Sequence, residues 1–220
     1  MKWLEVWTKR IKSKKSEHEK AGWGTAGGQM YSFEIVKMML NLKGDELLVD
    51  LGCGTGLFAA YLRDFYSGLW ITGIDAVKEA VDAAEKRNLL NCTFIQASVG
   101  KGQGELPTRI RGLHSAVTSL GLFQNFDGDI FVAIGEANSL LKLNGVFVFT
   151  VLNADFGGDY HVPFSVDGKP CRRMSVDRIR KLMDSIGFRD VFVGSFSKLK
   201  GELSLDVAKY HELIVRGRRT

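Results

Sequence analysis

The chain has 220 residues, 45% hydrophobic and 25% charged, which is the size and mix of one soluble globular domain. No run approaches the roughly 18 apolar residues needed to span a bilayer. Charge breaks up the first residues before a signal-peptide core forms, and Cys53, Cys92 and Cys171 lack the spacing of a disulfide framework or zinc site. A reducing, cytoplasmic setting is the expectation. The net charge of +5 lies in the tails: residues 1–20 hold seven Lys or Arg against three Glu, and Arg216, Arg218 and Arg219 close the chain. Residues 21–215 carry 20 basic and 22 acidic side chains, so the body carries no strong nucleic-acid signal.

The head comes first. "WLEVWTKRIKSKK" puts Trp3, Leu4, Trp7 and Ile11 on one helical face with Lys and Arg around them. Such a helix suits a lid over the rest of the domain or weak contact with a membrane surface through residues 1–20. Residues 1–28 are read as this basic head, and 29–220 as the main domain. "AGWGTAGGQMY" between them has the glycines of a hinge that would fold Trp23 or Tyr31 over a ligand.

A helix is predicted next, with Phe33, Ile35, Val36, Met39 and Leu40 inward and a stop near Gly44. "LLVDLG" reads as a buried strand and "LFAAYLRDF" as the helix after it. "LWITGID" is a second strand, and a second helix follows with Val77, Ala80, Val81 and Ala84 inward. "CTFIQ" and "LHSAVTSL" are strands three and four. A helix over 129–143 closes at the Asn144-Gly145 turn, and "GVFVFTVL" is strand five. Ser175 caps "VDRIRKLMDSI", which ends at Gly187. The last two strands, "RDVFVGSF" and "AKYHELIVR", have no helix between them and should pair antiparallel. Strands apolar on both faces that alternate with helices predict a parallel, doubly wound α/β sheet. Its ligand site should lie at the carboxyl ends of the strands, where strand order reverses.

The loop "VDLGCGTG" stands at that place. A dinucleotide fingerprint needs a third glycine where this chain has Leu57, and Asp50 would repel a pyrophosphate. Asp50 suits a cationic group, while the start of the helix beyond the loop is expected to take a carboxylate. A ligand with an ammonium, a carboxylate and a nucleoside answers both demands, and S-adenosylmethionine is such a ligand. Asp75, at the end of the second strand, is placed to hold both ribose hydroxyls.

"LLVDLGCGTGLFAAYL", "ITGIDAVKEAVDAA", "LLKLNGVFVFTV" and "IRKLMDSIGFRDV" together resemble the class I S-adenosylmethionine-dependent methyltransferases over roughly residues 35 to 215. The resemblance implies a Rossmann-like sheet of seven strands with the last antiparallel. It implies that Gly52, Gly54 and Gly56 admit the methionine moiety, Asp50 orients its ammonium, Asp75 holds the ribose and Ala76 packs on adenine. Ser98 stands where the family often has an adenine-reading Asp. His114 stands where the fourth strand usually opens with Asp, and is read as structural. Cys53 and Ser119 complete the candidate cofactor set.

For the reaction, the segment "TSLGLFQN" lacks the N-P-P-Y motif of amino-group nucleobase methyltransferases, and no carboxylate cluster suits a catechol-type Mg²⁺ site. The expectation is a metal-independent enzyme methylating an O or N nucleophile of a small molecule. Tyr160 and His161, in the long 153–174 loop, are the candidate substrate-facing pair, with His161 as base. Arg172 and Arg173 are read as a solvated pair, and "GKGQG" at 100–104 as a flexible loop without a phosphate role. Two alternatives remain: a protein or RNA methyltransferase docked by the basic tails, and a non-catalytic S-adenosylmethionine-binding module. Oligomeric state is not legible.

Overall fold

A computed structural model describes residues 2–23, 25–102, 106–156 and 165–220. The head forms α1 (Trp3–Ile11) and the single turn α2 (Glu17–Lys20), which Ser16 and Glu19 open as a capping box. Helix α3 (Ala26–Leu40) starts where the Thr25 hydroxyl accepts the Gly28 N–H at 3.0 Å. It stops at Asn41 (φ 51°), earlier than the expected Gly44, because Asn tolerates the left-handed conformation that turns the chain out of a helix.

The next elements occupy the predicted segments: β1 (Leu47–Leu51), α4 (Leu57–Arg63), β2 (Trp70–Asp75), α5 (Lys78–Glu85), β3 (Cys92–Gln96), β4 (His114–Leu120) and α6 (Ile130–Leu140). The expected Asn144-Gly145 turn lies instead within β5 (Leu141–Asn153), which begins where α6 ends. Asn144 takes a φ of 63° there, and the β4–β5 register shifts between His114 and Ala116, so a bulge absorbs the bend. Part of the expected 153–174 loop is ordered as β6 (Ser165–Val166), β7 (Lys169–Pro170) and β8 (Arg173–Met174). The first two pair as a hairpin, and β8 joins the end of β5 in parallel. Ser175 caps α7 (Val176–Ser185) by accepting the Arg178 N–H, and β9 (Phe188–Ser197), β10 (Glu202–Ser204) and β11 (Glu212–Arg219) complete the chain.

The main sheet runs β10-β9-β11-β5-β4-β1-β2-β3, with β8 beside β5. Strands β1 to β5 pair in parallel, and β11 is antiparallel to both β5 and β9. The expected seven strands are present. The short edge pieces β8 and β10 raise the count to nine. Order reverses at β1, which has β2 on one side and β4 on the other, so the loops after β1 and β4 flank one crevice.

Alternation along β5 divides the core in two. Phe147 and Phe149 pack with α6 and α7 residues such as Ile134 and Ile179, whereas Val146 and Val148 join Val36 of α3 and Leu62 of α4. Two apolar faces covered by helices hold the strand ends, and the loops between them, in fixed positions. His114 sits inside this framework, 4% exposed, with Nδ1 3.3 Å from the Leu140 carbonyl and its pKa lowered by burial. Its role is structural.

Candidate cofactor site

Strand β1 delivers Asp50 to the crevice, and its neighbours on both sides are short. Gly73 of β2 and Thr118 of β4 are its register partners. The Thr118 hydroxyl donates to Asp50 Oδ1 at 2.9 Å. Asp50 is 3% exposed, and burial pushes its pKa up to about 7; the Thr118 bond opposes that rise and the Asp75 charge adds to it. A buried carboxylate with so little support favours a cationic ligand beside it.

The glycine loop is tied down from behind. Gly52 and Cys53 both donate their N–H groups to the Ile74 carbonyl, at 2.7 and 3.1 Å, and Gly56 donates to the Cys53 carbonyl at 3.0 Å. Asp75 fixes the middle of the loop: its Oδ2 accepts the Gly54 N–H and its Oδ1 the Val77 N–H, both at 2.9 Å. Burial raises the Asp75 pKa, while these N–H bonds hold it down. The amides of Gly52, Cys53, Gly54 and Gly56 are therefore committed within the protein.

The three glycines do different things. A Cβ on Gly56 (φ 76°) would stand 3.1 Å from both Ala84 Cβ and the Phe94 ring, so this glycine lets the loop pack on α5 and β3. A Cβ on Gly52 (φ 76°) would press on Leu122 at 3.0 Å. Gly54 (φ 54°) differs: a Cβ there meets nothing within 4 Å, so the backbone faces open space that a ligand can fill.

That space belongs to a cavity lined by Asp50, Gly52, Cys53, Gly54 and Asp75, and also by Ala76 and Ser98. Trp3, Leu4, Trp7 and Ile11 line it from α1, and Trp23, Gln29, Phe33 and Lys198 line it as well. Head and glycine loop thus enclose one space. The apolar face of α1 is turned into the domain, with Trp3 and Val6 buried and the Trp7 indole donating to the Asn125 carbonyl at 3.1 Å. Trp23 packs edge-on to Phe33, and Tyr31, its partner in the expected hinge, packs on Phe196 instead.

Residues 48–145 match a protein-family model described as a methyltransferase domain. Over these residues the chain resembles a methyltransferase domain, and its fold is one it shares with S-adenosylmethionine-dependent methyltransferases. A curated relative, a malonyl-[acyl-carrier protein] O-methyltransferase of Halalkalibacterium halodurans, is 26% identical over 124 residues. The match takes in 56% of this chain and spans only 45% of that relative's length. Among solved structures, a methyltransferase of Thermotoga maritima described as a possible histamine N-methyltransferase superposes with a TM-score of 0.70 at 16% identity, covering 99% of this chain and 100% of that one. The Burkholderia thailandensis 1,6-didemethyltoxoflavin-N1-methyltransferase, solved with its acceptor and S-adenosylhomocysteine, gives 0.68 at 17% identity over 99% of this chain and 89% of its own. At these identities the two structures establish a shared fold.

S-adenosylmethionine, the cofactor of the methyltransferases this chain resembles, fits the residues present. Its ammonium answers the poorly supported carboxylate of Asp50, and the open face of Gly54 leaves room for a backbone-close ligand. Asp75 retains lone pairs beyond its two N–H bonds for ribose hydroxyls.

The structure gathers Asp50, Gly52, Cys53, Gly54, Asp75, Ala76 and Ser98 around the cavity. Gly56 stands behind the loop as a packing residue, outside the lining. Ser119 does not reach the cavity: adjacent residues of a strand face opposite ways, so while Thr118 turns to Asp50, Ser119 is fully buried without a hydrogen-bond partner among the described residues. The Cys53 thiol, raised well above its ordinary pKa by burial and by both carboxylates, is a small unreactive wall residue. Tyr160 and His161 lie outside the described residues. Thr118, Gln29 and Lys198 carry no motif and were not legible as site residues. Only strand register and packing bring them in.

Proposed function

We propose that this protein transfers a methyl group from S-adenosylmethionine to an O or N nucleophile of a small-molecule acceptor, without a metal ion. The observation that carries this reading is the enclosure: the acidic pair and the glycine loop open into a cavity that α1 helps to line, with Trp7, Trp23 and Phe33 as aromatic surfaces. A bounded, aromatic chamber suits a small apolar or planar acceptor better than a polymer. S-adenosylmethionine supplies an electrophilic methyl on a sulfonium. The chain's own residues hold the cofactor at Asp50 and Asp75, exclude water with the head, and orient the acceptor in line with the methyl. His161 is proposed as the base for a hydroxyl acceptor, with Tyr160 beside it.

The names of relatives support the coarse class, since one acts on an acyl-carrier malonyl group and one on a small heterocycle. The macromolecular alternative loses support from the tails. Arg10 and Lys15 pair with Asp167, Lys12 with Glu79, and Lys20 with Glu17. Arg216 and Arg218 donate to the carbonyls of Met39 and Asn144. The deciding experiment is crystallisation with S-adenosylhomocysteine, followed by transfer assays from labelled S-adenosylmethionine to acceptors chosen to fill the space beside the sulfur. Transfer to tRNA or protein with none to small molecules would reject this reading. Binding without transfer to any acceptor would favour a non-catalytic module.

A further inference from the structure

The glycine loop leaves one group of the cofactor without an obvious partner. S-adenosylmethionine carries a carboxylate next to its ammonium, yet the N–H groups of Gly52, Cys53, Gly54 and Gly56 already donate to protein oxygens. Asp50 and Asp75, the ionisable residues of the loop region, repel an anion. A carboxylate in this cavity calls for donors beyond these four amides.

Gln29 provides one. It lies in the first turns of α3, lines the cavity and is 7% exposed, and its Nε2 has no hydrogen-bond partner among the described residues. A buried amide nitrogen left unpaired costs about 1–3 kcal/mol, so its retention at a cavity wall points to a ligand oxygen. Thr55 Oγ1 is also buried, unpaired and at the cavity, but a hydroxyl both donates and accepts and selects no charge. An amide NH₂ donates only.

Lys198 stands beside it. A Cβ on Gly28, the residue before Gln29, would lie 3.2 Å from Lys198 Cβ, so this glycine lets the lysine stem pass against α3. Lys198 Nζ lies 4.4 Å from the Trp23 ring centroid and pairs with the buried Glu212 carboxylate, which leaves two of its three donor positions for other acceptors. Gln29, with its donor amide, and Lys198, with its ammonium, both line the cavity.

We propose that Gln29 and Lys198 form a carboxylate-binding subsite of the cavity. It rests on the cofactor reading above. Two molecules could supply the carboxylate: the methionine end of the cofactor, or the acceptor. Calorimetry on the full chain separates them with two probes, S-adenosylhomocysteine and 5′-methylthioadenosine, which lacks the amino-acid end.

If the cofactor fills the subsite, Gln29→Leu weakens S-adenosylhomocysteine by tenfold or more, the effect of one hydrogen bond to a charged group, and leaves 5′-methylthioadenosine unchanged. Gln29→Glu, which places a like charge there, weakens it further. If the acceptor fills it, both nucleosides keep their affinity, and the wild-type protein saturated with S-adenosylhomocysteine binds benzoate or malonate while Gln29→Leu does not. Thermal unfolding of each variant verifies that it is folded. Equal weakening of both nucleosides, or no change with any probe, overturns the subsite. Wild-type protein that binds neither nucleoside overturns the cofactor reading itself.

Discussion

The Arg10 guanidinium and the Asp167 carboxylate meet at 3.0 Å, and they tie the head to the β6–β7 hairpin across 157 residues of sequence. Lys15 reaches the same carboxylate at 3.4 Å, and Lys169, in that hairpin, lies 4.5 Å from the Trp3 ring and pairs with Asp127. The head, which lines the cavity, and the hairpin are therefore clasped to each other. Exposed pairs of this kind contribute about 0–1 kcal/mol each, enough to bias a lid without locking it. Asp167→Ala should leave the unfolding temperature nearly unchanged and speed hydrogen exchange in residues 3–11, with S-adenosylhomocysteine restoring protection. Unchanged exchange in that segment would show that the clasp does not hold the head.

Removing residues 1–20 tests the same lid from the other side. Asp50, Asp75 and the loop lie wholly in the remaining chain, so affinity for S-adenosylmethionine should stay within a few-fold while turnover falls sharply. A truncation that lost only vesicle binding would make the head a membrane anchor.

Asp50 should make cofactor affinity depend on pH. Its carboxyl titrates near 7 in the free protein, and an ammonium beside it favours the ionised form. Affinity should therefore weaken as pH falls below 7, by up to about tenfold per unit, and level off above 8. Asp50→Asn should flatten that dependence. The folded value lies above the ordinary 3.8, so the stability this group contributes is complete below about pH 4 and is lost as pH rises to 7. Asp50→Asn should then stabilise the free protein at pH 8 by up to about 4 kcal/mol, measured by urea unfolding. A variant that is less stable at pH 8 would contradict the burial argument.

The glycines should separate binding from folding. Gly54→Ala meets no atom and bears only the left-handed backbone cost of about 1–2 kcal/mol, so its main effect should be weaker cofactor binding. Gly56→Ala adds a clash with Ala84 and Phe94 to the same backbone cost and should destabilise the fold more than Gly54→Ala does. Paired unfolding and binding curves for the two variants would reveal any reversal of that order.

Asp75 and His161 address recognition and chemistry. Asp75→Ala removes the acceptor of two N–H bonds as well as the ribose partner, and should weaken S-adenosylmethionine by about 1.5–3 kcal/mol. NAD binding by the wild-type protein in place of S-adenosylmethionine would reject the site. His161→Ala should lower turnover and remove a pH–rate limb near 6 to 7. Full turnover of that variant on a hydroxyl acceptor would exclude His161 as the base.

The sequence by itself determined the elements and the chemistry that local pattern encodes. Short apolar runs and helical apolar spacing placed β1 to β5 and their helices to within a few residues, and "VDLGCGTG" with Asp75 marked the cofactor loop. Both signals are local, because an apolar repeat or a glycine spacing acts on its own stretch of backbone. What pairs with what across the chain was decided only by packing. The seating of β11 between β5 and β9, the Thr118 hydroxyl on Asp50 and the turn of Ser119 away from the cavity all follow from strand register, which depends on every side chain across a sheet at once. Gln29 and Lys198 belong to the same class, since no spacing rule links positions 29 and 198. Both come to one cavity, with the Lys198 stem against Gly28, only once α3 has docked on the sheet.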